Sequence, residues 1–253
     1  MPVSFEWTVP YATTFFHLGV HNLSVTEARR LFERMDAYRR SPRSDELTEI
    51  LATLAADPET LVVFNHPLWD ESGIGHRAHA EAAKQFLQTY RPCLQALELN
   101  GLRPWSENCG VVALAAAFEK PVISGGDRHG IEPHAMLNLT NTATFSEFVE
   151  EVRAGWSDVL ILSHYHESHA LRIVHNMIDV LRVREEHANG WRLWSDRVFY
   201  TCDDGQTRSL TELFGARPPF TVALFLGAIQ FAAAPHVRRF MRGAFPEEDE
   251  ISL

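Results

Sequence analysis

A chain of 253 residues with 45% apolar side chains is long enough for one large core, or a core with an appendage, and too apolar to be disordered. Its formal charge of −10, helped by the acidic run Glu247-Glu248-Asp249-Glu250, excludes a nucleic-acid backbone as the main ligand, because phosphate backbones are bound by clustered Lys and Arg. A small phosphorylated substrate stays open, since a bound cation reverses the local field.

Cys93, Cys109 and Cys202 stand far apart with no CxxC spacing, the pattern of incidental thiols in a reducing compartment. Residues Pro2 to Pro10 have neither the basic start nor the apolar run of a signal peptide. The most apolar stretch, Phe220 to Ala234, falls short of the ~20 residues of a spanning helix and contains Gln230. The expectation is a cytoplasmic protein with no membrane span.

In chain order, Phe5 to Val9 and Phe15 to Val20 have the composition of strands. Ser24 with Glu27 three residues on forms a capping box, which predicts a helix to about Arg39, and a second helix covers Asp45 to Ala56. Leu61 to Phe64 is a buried strand that ends at Asn65-His66-Pro67, where proline stops the ladder. A helix over His79 to Tyr90, a strand over Leu94 to Leu99, an Ala-rich helix over Glu107 to Glu119 and a strand over Val122 to Ser124 follow. Thr144 and Glu147 make another capping box for a helix to Ala154, and Val159 to Leu162 is a last short strand.

Alternation of strands and helices implies parallel pairing through right-handed crossovers. With no GxGxxG loop, the expected fold is a closed or nearly closed (β/α) barrel over residues 1–165. Residues 166–253 have a different texture: a helical pattern over Ser168 to Glu186, a β-like segment over Gly190 to Tyr200, and an apolar helix after Pro218-Pro219 that ends in Arg238, Arg239 and Arg242. This is expected to be a mainly helical extension, packed on the barrel or used for homodimerisation.

The chemistry of a parallel barrel sits where strands end. Metal-capable residues gather there: Glu6 and His17 in the first two strands, His66 after the third, Glu98 near the end of the fourth, and Asp127 and His129 after Val122 to Ser124. An Asp-x-His pair leaving a buried strand through Gly125 and Gly126 suits a hard cation, the carboxylate supplying charge and the imidazole a directional nitrogen. Each residue also has a plain structural role open to it: His17 as a core histidine, Glu98 paired with Arg103, Asp127 with Arg128 or Arg91. His164 or His166, after the last strand, could reach the barrel mouth as a ligand, though histidines at such a junction more often cap or bond locally; His76 and His79 are expected to mark a solvated loop and helix start.

The order Glu6, His17, Asn65-His66-Pro67, Glu98-Leu99-Asn100 and Gly126-Asp127-Arg128-His129-Gly130 resembles the polymerase-and-histidinol-phosphatase (PHP) superfamily over roughly Val3 to His134. That resemblance implies a distorted β/α barrel holding two or three divalent ions (Zn, Mn or Fe) and hydrolysing phosphoesters. Glu6 would bridge two metals, with His17, His66, Asp127 and His129 as further ligands. His66, Asp127 and His129 would be central to catalysis, and Glu98 and Asn65 would lie behind the ligands. Arg128 and Arg103 would clamp the phosphate of a small substrate, guanidinium binding two oxygens at once. The family's opening His-x-His strand and Asp-His pair are missing, so the barrel is expected to be incomplete at its N-terminus or the site degenerate. Two other readings follow: a catalytically silent barrel kept as a binding or scaffold domain, and an amidohydrolase, against which the only lysines, Lys84 and Lys120, fall on or after predicted helices.

Overall fold

The structure is a computed structural model that describes residues 2–127, 135–181, 193–215 and 217–244. Its first pairing is decided by a turn too short for a crossover. Strand β1 (Val3–Tyr11) and strand β2 (Thr14–Leu23) are joined by Ala12 and Thr13 alone, so they pair antiparallel, with Thr8 opposite His17. Strand β3 (Leu61–Asn65) is antiparallel to β2, and β4 (Ala96–Asn100) and β5 (Val122–Gly125) follow in parallel. The sheet order is β1-β2-β3-β4-β5.

This corrects the expected distorted (β/α) barrel. Among the described residues β1 pairs only with β2, so the five strands form an open, mixed sheet. A barrel needs the last strand to return to the first and helical crossovers between parallel neighbours; the opening hairpin supplies neither. Beyond β5 the chain forms a separate antiparallel pair, β6 (Met136–Leu139) with β7 (Asp158–Ile161). The Asn138 side-chain amide tethers it to β5, accepting from the Ser124 N–H at 2.7 Å and donating to the Ser124 carbonyl at 3.2 Å.

Helices cover both faces. Helix α1 (Val25–Arg40) begins at Ser24, whose hydroxyl accepts from the Glu27 N–H at 3.2 Å. The Glu27 carboxylate turns to that hydroxyl at 2.8 Å, so the expected box is only half formed. Helices α2 (Ser44–Ala56), α3 (His76–Tyr90) and α4 (Trp105–Ala117) follow, and α5 (Phe145–Arg153) carries the complete Thr144–Glu147 box. One sheet face buries Phe16 and Phe64 against Phe86 of α3, with ring centroids 5.1 to 5.2 Å apart. The opposite face buries Leu61, Val63, Ala96 and Ile123 against Val149 and Val152 of α5. Further along that second face the apolar residues give way to Glu6, His17, Asn65 and Glu98.

The chain divides into two compact units: residues 2–126 with 135–162, and Asp127 with the described residues from Ser163 onward. The second contains α6 (His169–Leu181), the hairpin of β8 (Phe199–Thr201) and β9 (Thr207–Ser209), α7 (Leu210–Phe214), α8 (Phe220–Ala233) and α9 (Pro235–Ala244). The expected β-like segment over Gly190 to Tyr200 is confined, among described residues, to β8. No single described helix is long and apolar enough to cross a membrane; α8 and α9 reach the required length and composition only together, bent by 63°.

Candidate metal centre

The sheet register brings the first three polar residues together. His17 is opposite both Thr8 and Asn65, and Glu6 is opposite Gly19 one pair of residues away on the same face. His66 follows β3 directly. Its φ of +27° is unusual for a residue with a side chain, and its N–H is anchored by Glu98 Oε2 at 2.8 Å. The His66 ring centroid stands 5.0 Å from that of His17 on β2.

Glu6, His17 and His66 each offer a ligand atom within 4.8 Å of the others, and this cluster could hold a metal ion. His17 Nδ1 lies 3.0 Å from Glu6 Oε1, and His66 Nε2 lies 3.7 Å from Glu6 Oε2. Donors around a tetrahedral ion at zinc-like bond lengths stand roughly 3.3 Å apart, and the two separations bracket that value. At that length the His17 contact still makes no hydrogen bond by geometry, so a buried nitrogen stands beside a carboxylate. The donor set and its spacing therefore fit a divalent cation.

Supporting groups are in position. Asn65 Nδ2 donates to Glu6 Oε2 at 2.7 Å. Gly19 leaves the space this needs: a Cβ there would stand 2.7 Å from His21 Nε2 and 2.9 Å from Asn65 Oδ1. Burial works to raise the Glu6 pKa, but polar contacts from His17, His66 and Asn65 outweigh it and hold the carboxyl well below its ordinary range. Glu98 is wholly buried, and burial pushes its pKa up despite the opposing pull of His66. His21 is pulled down by burial, with Glu6 acting against it.

The loop after Pro67 completes the surroundings. Trp69 lies 5.0 Å from the His66 ring, and Glu71 Oε2 stands 3.6 Å from His17 Nε2. Together with Phe15, Phe16, Asn65 and His79, these residues line a cavity of about 10 Å³. Glu71 and Trp69 are not among the residues singled out from the sequence. The available signal was an acidic turn, Asp70-Glu71-Ser72-Gly73, directly after Asn65-His66-Pro67.

The other expected residues divide. Glu98 and Asn65 sit behind the cluster, one on the His66 backbone and one on the Glu6 carboxylate. Arg103 stacks over the Trp69 ring at 4.5 Å and donates to both Glu107 oxygens at 3.0 and 3.1 Å. Asp127, half-buried with φ +48°, is the first residue of the second unit. Arg128 and His129 lie outside the described residues. His164 and His166 fall in a short 3₁₀ turn, Ser163–His166, of the second unit. His79 corrects its expectation as a solvated helix start: it is 1% exposed, with Nδ1 3.1 Å from the Thr14 hydroxyl, because α3 packs this first-turn side chain against Phe16.

No protein-family model matches the chain, and no curated protein matches it. Its structure is similar to the crystal structure of PsfC from Pseudomonas syringae PB-5123, at 16% identity and a TM-score of 0.46 over 69% of this chain. The chain spans 64% of the length of PsfC.

Proposed function

We propose that this chain is a metal-dependent hydrolase of phosphoester bonds, related to the PHP superfamily, in which Glu6, His17 and His66 hold a divalent cation. The observation that carries the reading is the meeting of one carboxylate and two imidazoles, from three separate segments, within 4.8 Å. A mixed nitrogen and oxygen donor set suits Zn, Mn or Fe. A bound cation of this kind makes hydroxide available from water near neutral pH and polarises a phosphoryl oxygen.

The chain's own residues have distinct tasks. Glu6, kept ionised by its neighbours, presents a full negative charge to the cation. Asn65 fixes the orientation of that carboxylate, and Glu98 fixes the His66 backbone. Arg103, over the Trp69 ring, is the proposed phosphate clamp for a small substrate. Arg103 would have to share its guanidinium between Glu107 and the phosphate. Three free thiols at Cys93, Cys109 and Cys202 agree with a reducing, cytoplasmic setting.

A second reading has its own support. The space enclosed among the side chains at the cluster, about 10 Å³, is that of a single water or ion. Such a site also suits a binding or scaffold domain in which the cation is structural. Phosphomonoester and phosphodiester substrates, assayed with added manganese, separate the two. Turnover that disappears in Glu6→Gln supports the hydrolase; a metal-loaded protein with no turnover on either class supports the scaffold.

A further inference from the structure

We propose that Glu71 sets the tautomer of His17, holding its Nε2–H toward the loop so that Nδ1 presents the lone pair to the centre shared with Glu6 and His66. The inference rests on the proposed metal centre and goes beyond it by assigning the ligating atom and the residue that selects it.

His17 lies between two carboxylates. Glu6 Oε1 is 3.0 Å from Nδ1, and Glu71 Oε2 is 3.6 Å from Nε2. A neutral imidazole carries one proton, and the nitrogen that keeps it is the one with an acceptor in line. Neither contact is a formed hydrogen bond: Nδ1 is close to Glu6 but makes no bond by geometry, and Nε2 is slightly too far from Glu71. Moving Glu71 by about 0.7 Å gives Nε2–H an ordinary hydrogen bond. The ring plane is already set, stacked on Phe15 at 25° and meeting His66 edge-on at 78°. Metal-bound histidines commonly give their second nitrogen to a carboxylate in this way, which fixes the tautomer and raises ligand basicity.

The turn that carries Glu71 is held in place by the residues on either side of it. Asp70 accepts from the backbone N–H of Ile74 at 3.1 Å and of Gly75 at 2.7 Å, and from the Ser72 hydroxyl at 3.1 Å. The Ser72 hydroxyl also meets the Thr14 hydroxyl at 2.7 Å, and Thr14 meets His79 Nδ1 at 3.1 Å. The loop is thus pinned to the start of β2 and to the first turn of α3. An acidic side chain on so fixed a turn is a positioning residue for the histidine beside it.

The test is made on the full chain without metal, labelled with ¹⁵N at histidine and held near pH 8, where an ordinary imidazole is neutral. Long-range ¹H–¹⁵N correlations, with His17→Asn assigning the signal, should show His17 protonated at Nε2. Glu71→Ala should shift the proton toward Nδ1, and Glu71→Gln, which keeps a carbonyl acceptor, should restore the parent tautomer. Zinc affinity, measured by competition with a chromophoric chelator, should fall roughly 10- to 100-fold in Glu71→Ala and recover in Glu71→Gln. A parent protein protonated at Nδ1, or a tautomer unmoved by Glu71→Ala, overturns the proposal. Equal loss of affinity in both variants with the tautomer unmoved also overturns it, since Glu71 would then be a ligand itself. A chain that binds no zinc defeats the hydrolase reading but leaves the tautomer measurement intact.

Discussion

Gly125 lies directly beneath the Glu98 carboxyl group: a Cβ built on it would stand 1.8 Å from Glu98 Oε1 and 2.4 Å from Cδ. Glu98 in turn holds the N–H of His66, so a backbone position on β5 controls a proposed ligand after β3. Gly125→Ala should displace Glu98, cost about 1–3 kcal/mol by overpacking, and weaken metal binding more than a surface alanine does. Urea unfolding and a zinc titration on the same variant check both effects.

The buried His79 gives a pH dependence of defined sign. Burial lowers its pKa, with Asp70 partly opposing, so the unfolded chain takes up a proton before the folded one. The contribution of His79 to stability is complete above about pH 6.5 and is lost as pH falls toward the folded value. Thermal unfolding of the parent should therefore weaken below that point, and His79→Gln should flatten the slope there. An identical slope in both proteins would remove His79 as its source.

Phe64 is fully buried at the centre of the aromatic layer with Phe16 and Phe86. Phe64→Ala should cost about 3–5 kcal/mol, read as a lower urea midpoint with little change in slope.

The outward side of α8 carries Phe220, Leu224 and Phe231, at 80%, 64% and 70% exposure. Single exposed apolar residues are ordinary, but an apolar row along one helix is the surface that the homodimer expected from the sequence would bury. Sedimentation equilibrium should show a dimer for the parent chain and a monomer for Phe231→Asp.

Much of this arrangement was legible in the sequence, and the unread parts share a cause. Ser24 and Thr144 mark helix starts because a hydroxyl before an acidic third residue has a local partner. Asn65-His66-Pro67 marks a strand end for an equally local reason. Strand direction is not local: periodicity of two is the same for parallel and antiparallel neighbours, and Ala12-Thr13 lacks the Asn-Gly signature of a hairpin. The barrel expectation failed there. Strand β6 went unread because its pairing with β7 and its tether to β5 through the Asn138 side chain are tertiary contacts that no local pattern announces. Glu71 went unread because its approach to His17 depends on the tertiary path of the loop Asp70 closes.

The central claim is that Glu6, His17 and His66 bind a cation together. The most direct measurement is the metal content of the purified chain, by elemental analysis, beside Glu6→Gln, His17→Asn and His66→Asn variants that remain folded by circular dichroism. The account predicts at least one equivalent of Zn, Mn or Fe in the parent and marked loss in each variant. A folded parent that retains no divalent metal after exposure to all three ions, or variants that load as fully as the parent, would contradict it.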